Sequence, residues 1–365
     1  MEQKKVCVGV VGAGAISDIY LKNMINRFDN LSVKSICAAH LESAQKKAKE
    51  YGIQAVTMEE MLDDPEIWMI VNLTPAHVHY DVIKRALEHG KHVYTEKTLT
   101  DDVNKSAELV RLAKEKGLYL GSAPDTFMGA ALQTARSAID SGMLGEIHSF
   151  AVSANRNNDI LLSLFDFLRK PGGGIVCDYA VYYVTALVSL LGPAARVGSI
   201  VGYPYPTHVN CVPGTPLYGQ TMDTPNESQV NAVLQFENGV TGTFHIDADS
   251  VMEDQAYFTI YGTKGILILT DPNQFGGQVC FLPNTPNPEE RQEASVLQSV
   301  NEYSDNSRGI GPADLADTIL NGTPLRPSAE MAYHVHEVLN AMLEGGTSGG
   351  FTDIRSSCVR PEPLR

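Results

Sequence analysis

The first 120 or so residues alternate short apolar runs with longer amphipathic segments. The apolar runs predict β-strands at 6–11, 33–38, around Val71, at 92–94 and at 118–120. The segments between them predict helices at 15–27, 42–51, 76–89 and 103–116. Strands that alternate with helices form a parallel sheet with right-handed crossovers. The pattern therefore predicts a doubly wound α/β domain.

The pattern changes after residue 125. A predicted helix at 128–141 leads into a long β-like segment and then into two hairpins, at 229–246 and 257–269. Consecutive hairpins without intervening helices indicate an antiparallel sheet, so this half is predicted to be α+β. We expect domains at 1–125 and 126–365, with a late helix at 329–344 that packs back on the first domain.

The charge balance argues against two classes of partner. The 365 residues include 28 Lys and Arg against 43 Asp and Glu, which gives a net charge of −15. A nucleic-acid-binding protein neutralises phosphates with basic side chains, and a polybasic membrane-surface protein needs the same sign of charge. We therefore expect no nucleic-acid partner and no membrane partner.

The cysteines and apolar runs bear on location. The six cysteines are scattered, without a C-x-x-C pair or a cluster with metal-ligand spacing, so we expect reduced thiols and no metal. The first apolar run is too short for a signal peptide, and no later run approaches the ~20 residues of a membrane span. The expected location is the cytoplasm.

A glycine-rich turn closes the first strand and opens the first helix. Gly12 permits the tight turn, Gly14 lets a pyrophosphate approach the backbone, and the helix N-terminus supplies amide donors. Ser17 occupies the position of the third glycine of the dinucleotide fingerprint. The alternative is an ordinary glycine-rich turn. The predicted dinucleotide site consists of Gly12, Gly14, Ala15 and Ile16.

The end of the second strand bears on the choice of cofactor. Ala38, Ala39 and His40 stand where NAD-binding domains of this kind have an acidic residue for the ribose diol. No Arg stands there to bind a 2′-phosphate. We predict NAD and leave NADP open, with His40 as a candidate partner of a ribose hydroxyl or, alternatively, an exposed loop histidine.

Two further strand ends carry candidate residues. Thr74 and Pro75 follow the strand around Val71, and Glu96 and Lys97 follow the strand at 92–94. Ligands bind at the carboxyl edge of open α/β sheets, so all four are predicted to lie near the dinucleotide. A Lys at this edge can polarise a substrate oxygen and transfer a proton. The alternatives are an ordinary helix start for the first pair and a solvated surface charge for Lys97.

The second half contains a carboxylate and a phenol at helical spacing. The run Gly172-Gly173-Gly174 precedes an apolar, tyrosine-rich segment that can be helical. Asp178 and Tyr182 are i and i+4 within it, on one face, and can be aimed at one substrate. The alternative is a stripe of tyrosines that packs the helix into the core.

These motifs, in this order along nearly the whole chain, resemble the Gfo/Idh/MocA oxidoreductase family. The resemblance rests on residues 12–14, 74–79, 86–97 and 172–182. It implies an N-terminal Rossmann domain that binds NAD or NADP. It also implies a C-terminal α+β domain whose large, open, mostly antiparallel sheet often serves as an oligomer interface. Members of the family oxidise or reduce hydroxyls of sugars, inositols and related polyols.

The resemblance implies roles for individual residues. Lys97 matches the lysine of the E-K-P motif, with Thr98 in place of Pro, and is expected to act as acid and base. Asp178 and Tyr182 match the D-x-x-x-H block, with Tyr in place of His. Asp178 is expected to orient the sugar and to hold Lys97 charged or poised for proton transfer. Tyr182 is expected to orient the reacting hydroxyl or to relay its proton. Further candidate substrate contacts are Asp125, Thr126, Asn155, Arg156 and Tyr183.

Residues 124–127, 178–187 and 308–311 are similar to a bacterial subgroup that oxidises the glucose 3-hydroxyl of C-glycosides. With the acidic composition, this favours an unphosphorylated sugar or glycoside as substrate. The open sheet that the family resemblance implies leads us to expect a homo-oligomer, based on a dimer, with a tetramer or hexamer possible. The alternatives are an inositol or polyol dehydrogenase, an aldose–aldose oxidoreductase with tightly held cofactor, and a nucleotide-binding sensor that has lost catalysis.

Overall fold

The computed structural model describes residues 4–170, 172–252, 255–348 and 350–364. The chain divides into two compact units. The first unit runs to Met128 and includes Asn306–Tyr333, and the second takes Gly129–Asp305 and the residues from His334 onward. No helix in the described ranges is long and apolar enough to cross a membrane.

The first unit is built on a six-stranded parallel sheet with the order β3-β2-β1-β4-β5-β6. Its strands are β1 (Val6–Val11), β2 (Leu31–Cys37), β3 (Gln54–Ala55), β4 (Met69–Asn72), β5 (His92–Thr95) and β6 (Leu120–Ser122). The central strand β4 is buried along its whole length, as expected for a sheet covered by helices on both faces. This is the Rossmann order, and the predicted doubly wound fold is confirmed.

The helices of this sheet follow the predicted alternation. They are α1 (Ser17–Asn26), α2 (Leu41–Tyr51), α3 (Met58–Asp63), α4 (Ala76–Glu88) and α5 (Val103–Glu115). The sequence pattern missed α3, although Thr57 and Glu60 form a capping box at its start. The Glu60 amide donates to Thr57 Oγ1 at 3.2 Å, and the Thr57 amide donates to Glu60 Oε2 at 2.8 Å.

The chain returns to the first unit late, which differs from the predicted second domain of 126–365. The break at Met128 lies close to the predicted boundary, but Asn306–Tyr333, with α9 (Ile310–Asn321), belongs to the first unit. This segment contacts the last strand of the sheet: the amide of Ser122 in β6 donates to Pro327 O at 2.9 Å. The late helix is α10 (Ala329–Ser348), and only its first residues, as far as Tyr333, belong to the first unit.

Asp125 fastens this returning segment. Its carboxyl group is buried, and Oδ2 accepts hydrogen bonds from the amides of Gly309 and Gly311 at 3.3 and 3.1 Å. Burial raises the pKa of Asp125 to about 6, while the charge of Arg308 acts in the opposite direction. Thr126 is buried as well, at the start of the 3₁₀ turn Thr126–Met128. The contacts of Asp125 give it a structural role, and substrate contact by Asp125 or Thr126 stays a prediction.

The second unit is an α+β domain with a nine-stranded sheet of order β16-β15-β14-β13-β7-β12-β11-β8-β17. The strands are β7 (Ile147–Asn155), β8 (Ala194–Gly202), β11 (Gln229–Phe236), β12 (Thr241–Asp247), β13 (Ala256–Gly262), β14 (Gly265–Leu269), β15 (Cys280–Pro283), β16 (Ser295–Val296) and β17 (Phe351–Asp353). The β7–β12 pair is parallel, and the other described pairs of this sheet are antiparallel. The predicted mostly antiparallel sheet is confirmed.

Helices and a small hairpin complete the second unit. The helices α6 (Ala130–Asp140) and α8 (Val181–Leu191) contact each other, and every residue of α8 is buried. The short helix α7 (Asn158–Leu164) contacts β9 (Thr207–Val209), which pairs with β10 (Thr221–Asp223) in a separate two-stranded sheet.

A buried histidine fastens this two-stranded sheet. His208 Nδ1 lies 2.7 Å from Asp159 Oδ1 of α7, and its Nε2 lies 3.3 Å from Asp249 Oδ1. Ser228 Oγ donates to the other oxygen of Asp249 at 2.5 Å. The contact with Asp249 raises the pKa of His208 above its usual value, against the effect of burial.

We therefore expect the contribution of His208 to stability to depend on pH. A raised pKa means that the stabilisation is fully present below the unfolded-state pKa of about 6.5 and is lost as pH rises through the folded-state pKa. His208→Gln should lower the free energy of unfolding by about 1.5–3 kcal/mol at low pH, the range for hydrogen bonds to charged groups. Urea denaturation of both proteins on either side of neutral pH measures this, with His148→Gln as an exposed control. A difference that stays constant or grows with pH would contradict the assignment.

Candidate active site

The loop after β1 brings the backbone close to the end of β4. Gly12 has a φ of 111°, and a Cβ at this position would lie 2.8 Å from the carbonyl carbon and oxygen of Leu73. Gly14 and Ala15 are exposed, and no heavy atom lies within 4 Å of a Cβ placed on Gly14. The buried Ser17 takes the place of the third glycine, and its Oγ donates to Gly14 O at 2.6 Å. Only glycine fits at the first position, and the second is open to a ligand.

The start of α1 suits an anionic group. Ile16 occupies the N-cap position and has no polar side-chain atom, so the first amides of the helix are not capped by a side chain there. Backbone amides and the positive end of a helix dipole favour a phosphate at such a terminus. The close backbone approach at Gly12, the open space at Gly14 and this uncapped terminus together fit the pyrophosphate of a dinucleotide.

The structure places His40 at the expected edge of the sheet. It follows β2, is exposed, and is the N-cap residue of α2, where its carbonyl oxygen accepts from the Ser43 amide at 3.0 Å. Its use for a ribose hydroxyl stays a prediction.

A buried histidine joins the loops that follow β4 and β5. His79 Nε2 lies 2.7 Å from Thr74 O, and its Nδ1 lies 2.7 Å from Thr98 O. Burial lowers the pKa of His79. Thr74 Oγ1 donates to Asn72 Oδ1 at 2.7 Å, and the exposed Pro75, rather than Thr74, is the N-cap residue of α4. The backbone of both loops is therefore held by one side chain.

Glu96 links the Lys97 loop to the helix that starts at the glycine turn. Its Oε2 accepts from the amide of Lys97 at 2.9 Å, and its Oε1 accepts from the hydroxyl of Tyr20 at 2.8 Å. Tyr20 lies in α1 and is completely buried. Both carboxylate oxygens have a protein partner, so Glu96 fixes the backbone at Lys97, which is itself half-buried.

In the second unit, Asp178 lies in a π-helical turn. The turn spans Val176–Ala180 and continues directly into α8, which begins with Val181 and Tyr182. The predicted helix is present, but its first turn has the wider i→i+5 spacing, a feature that is frequent at functional sites. Asp178 is half-buried and Tyr182 is largely buried.

Asp178 lines a pocket within the second unit. Hydrogen-bonding groups from four other residues line it as well, and leucine side chains form an apolar part of its wall. The polar residues are Asp178, Asn158, Thr224, Asn226 and Glu227, and the leucines are Leu161, Leu162 and Leu168. Several polar groups beside an apolar wall suit a small polyhydroxylated molecule. Sequence reasoning missed Glu227, because nothing in the residues around it indicates a contact with a helix start 51 positions earlier in the chain.

The remaining candidate residues lie on or beside β7 and α8. Asn155 Nδ2 donates to Gln255 Oε1 at 3.0 Å, and the guanidinium of Arg156 lies 4.7 Å from the ring centre of Tyr179. Tyr183 is completely buried, with its hydroxyl 3.3 Å from that of Tyr179. The rings of Phe244 and Phe258 pack against Tyr183, and burial raises its pKa. The alternative of a packing stripe therefore describes Tyr179 and Tyr183.

We expect His79→Ala to disturb the nucleotide edge. The loss of a buried hydrogen-bonding group costs about 1–3 kcal/mol of stability and releases the backbone at Thr74 and Thr98. The free energy of unfolding should fall in urea denaturation, and NADH should bind more weakly in a fluorescence titration. The exposed His89 serves as the control, as His89→Ala. Identical behaviour of the two variants would show that His79 does not hold these loops.

The family described as an oxidoreductase family with an NAD-binding Rossmann fold matches residues 6–123, and the C-terminal domain of the same Gfo/Idh/MocA family matches residues 132–268. Together these matches span more than half of the chain. In the part of the chain that the structure describes, no group of His, Cys, Asp and Glu is arranged to hold a metal ion.

Curated relatives of the chain are named as an oxidoreductase and a dehydrogenase. The uncharacterized oxidoreductase YhhX of Escherichia coli is 31% identical over 50% of this chain and 52% of its own length. The chain spans about half the length of the first curated relatives that it matches. Trans-1,2-dihydrobenzene-1,2-diol dehydrogenase of Oryctolagus cuniculus is 25% identical over 88% of this chain and 93% of its own.

Among solved structures, a levoglucosan dehydrogenase in complex with NADH has a TM-score of 0.84 and 18% identity, over 97% of this chain and 100% of that one. At this identity the likeness shows the fold alone. The two family matches, which follow one another along the chain, show more: the chain belongs to the Gfo/Idh/MocA oxidoreductase family and carries its NAD-binding Rossmann domain.

Proposed function

We propose that the protein is an NAD-dependent dehydrogenase that oxidises a secondary hydroxyl of a neutral sugar or glycoside to a ketone, with the glucose 3-hydroxyl as the favoured position. One observation carries this proposal. Lys97 follows β5 at the ligand-binding edge of the sheet, and Glu96 fixes its backbone to Tyr20 of the helix that opens at the glycine turn. A candidate acid and base is therefore built into the dinucleotide-binding edge.

The residues that would hold the cofactor are on the first unit. The turn of Gly12, Gly14, Ala15 and Ile16 would hold the pyrophosphate, and His40 would bond a ribose hydroxyl. Thr74, Pro75, Glu96 and Lys97 are the further candidate contacts at the carboxyl edge of the sheet. NAD, when bound, supplies the acceptor for the hydride of the carbinol carbon. NADP is the alternative, since the end of β2 has neither the acidic residue nor an Arg.

The proposed catalytic residues handle the proton and orient the sugar. The neutral amine of Lys97 accepts the hydroxyl proton as the carbon–oxygen double bond forms, and the ammonium returns it in the reverse direction. Tyr182 orients the reacting hydroxyl or relays its proton. The carboxylate of Asp178 accepts hydrogen bonds from other sugar hydroxyls. Asn155 and Arg156 are candidates for further contacts.

Two observations support a neutral polyhydroxylated substrate. The pocket that Asp178 lines combines amide, hydroxyl and carboxylate groups with leucine side chains. The chain as a whole carries a net charge of −15, which disfavours a sugar phosphate. Relatives whose names include a dehydrogenase of a sugar or of a diol agree with this class of substrate.

We also propose a cytoplasmic homo-oligomer that associates through the open face of the nine-stranded sheet. Ile200, Asn231, His245, Ser153 and Tyr257 lie opposite one another across five neighbouring strands, so their side chains share one face. Ile200 and Tyr257 are 69% and 49% exposed, which is unusual for large apolar side chains in such a row.

The expected solution mass is therefore a multiple of 39.6 kDa. Light scattering after size exclusion measures it, and Ile200→Glu together with Tyr257→Glu should shift the protein toward the monomer. Exposed Val359→Glu is the control. A wild-type protein that elutes as a monomer at every concentration would overturn this part of the proposal.

Lys97→Met should lower kcat by about 10²–10⁴-fold, the usual contribution of general acid–base catalysis, while NADH binding largely survives. The assay follows reduced nicotinamide with NAD or NADP and a panel of D-glucose, a glucoside and myo-inositol. The exposed Lys114→Met is the control. Retention of more than about a tenth of kcat would remove Lys97 from the chemistry.

The same panel separates the alternative functions. Faster turnover of myo-inositol than of either sugar indicates a polyol dehydrogenase. Turnover only after addition of a carbonyl acceptor indicates aldose–aldose oxidoreduction with a retained cofactor. Mass spectrometry of the nucleotide released on denaturation identifies the cofactor, and bound nucleotide without any turnover indicates a sensor.

A further inference from the structure

A buried glutamate contacts the start of the helix that carries Asp178. Glu227 lies just before β11 and is 8% exposed. Its Oε1 accepts a hydrogen bond from the amide of Val176 at 3.0 Å, and its carbonyl oxygen accepts one from the amide of Ile175 at 3.1 Å. One residue therefore binds two successive amides at the beginning of this helix.

The glycine before these amides makes room for the carboxylate. A Cβ on Gly174 would lie 2.1 Å from Glu227 Oε1 and 2.3 Å from its Cδ. The carbonyl oxygen of Gly174 in turn accepts from the amide of Asp178 at 2.8 Å. Glu227 therefore packs directly on a residue whose carbonyl oxygen binds the Asp178 amide.

The electrostatics of this contact are favourable. The first amides of a helix have no partner within the helix, and a negative charge at the N-terminus is stabilised by the helix dipole. Burial raises the pKa of Glu227, while the Val176 amide acts in the opposite direction.

Glu227 and Asp178 also line the same pocket. The turn between Val176 and Ala180 has the wider π-helical spacing, and the bond from the Asp178 amide to Gly174 O joins this turn to the residue before the helix. The contacts of Glu227 come from outside the helix and act at Ile175 and Val176, where the turn begins.

We propose that Glu227 is a positioning residue that fixes the π-helical turn and thereby sets where Asp178 stands in the pocket. This inference rests on the proposed function only for its effect on catalysis. Its structural part concerns the helix start and is independent of the reaction.

Hydrogen exchange tests the structural part. Glu227→Ala removes the acceptor, so the peptide that covers residues 175–182 should exchange about tenfold faster, the upper end of what the loss of one hydrogen bond gives. Glu227→Gln retains an acceptor oxygen of the same reach and should exchange close to the wild-type rate. Glu293→Ala, an exposed glutamate, is the matched control.

The outcomes are distinct. Faster exchange confined to residues 175–182 in Glu227→Ala, with rescue in Glu227→Gln, supports the proposal. Wild-type exchange of this peptide in Glu227→Ala overturns it. If Glu227→Ala does not fold, Glu227→Asp takes its place, since a side chain one methylene shorter loses the reach to the Val176 amide; unchanged exchange there overturns the proposal too.

Kinetics with NAD and D-glucose test the consequence for catalysis. Glu227→Ala should raise the KM for D-glucose and lower kcat by about tenfold each, the upper end of what one hydrogen bond contributes, with the KM for NAD unchanged. Glu227→Gln should restore both values. A rise in the KM for NAD as well would indicate general damage and overturn the positioning role. If the wild type oxidises no sugar, the proposed function fails while the exchange experiment still decides the role of Glu227.

Discussion

The close approach of the β1 loop to the end of β4 is the constraint on which the nucleotide edge depends. Leu73 donates its amide to Val11 O at 2.7 Å, and its carbonyl group lies where a side chain on Gly12 would have to be. The amide of Gly12 donates to Cys37 O at 2.8 Å on the other side. The turn is therefore held between the two neighbouring strands, β2 and β4. With its backbone fixed in this way, the exposed Gly14 is left for a ligand.

Hydrogen-bonded polar side chains extend this constraint along the edge. His79 holds the loops after β4 and β5, and Glu96 connects the second of these loops to Tyr20 in α1. Because α1 begins at the glycine turn, these hydrogen bonds connect the backbone at Lys97 to the same helix whose N-terminus would bind the pyrophosphate. A buried polar group without partners is costly, so each of these side chains specifies one arrangement of the loops.

Local pattern predicted the Rossmann half well because its signals are local. Strand, glycine turn and helix follow one another within residues 6–26. The capping box of Thr57 and Glu60 is an equally local signal for the short helix α3. The return of Asn306–Tyr333 to the first unit could not be predicted in the same way, because it depends on contacts such as Ser122 with Pro327 that are remote in sequence.

In the candidate site, too, the sequence predicts what depends on local spacing and not what depends on contacts remote in sequence. The i and i+4 spacing located Asp178 and Tyr182 on one helix, but apolar periodicity does not distinguish a π-helical turn from an α-helical one. Asp125 is a candidate for substrate contact in the sequence, and the structure shows that its Oδ2 already accepts hydrogen bonds from the amides of Gly309 and Gly311. Only tertiary structure shows which polar residues are already engaged. The catalytic and binding roles of the others remain predictions.

Several of the chain's many carboxylates hold its backbone in place, and two carboxylates lie at the pocket where we propose that substrate binds. Carboxylates accept hydrogen bonds from backbone amides at Asp102, at Asp125 and at Glu227, so part of the negative charge holds loops and helix starts in place. At the pocket this use has a consequence. Asp178 and Glu227 both line it, and none of the described residues that line it is a Lys or an Arg. A phosphate there would meet two carboxyl groups without a compensating cation, whereas sugar hydroxyls can donate to them. The charge that fixes the helix start therefore also favours a neutral substrate.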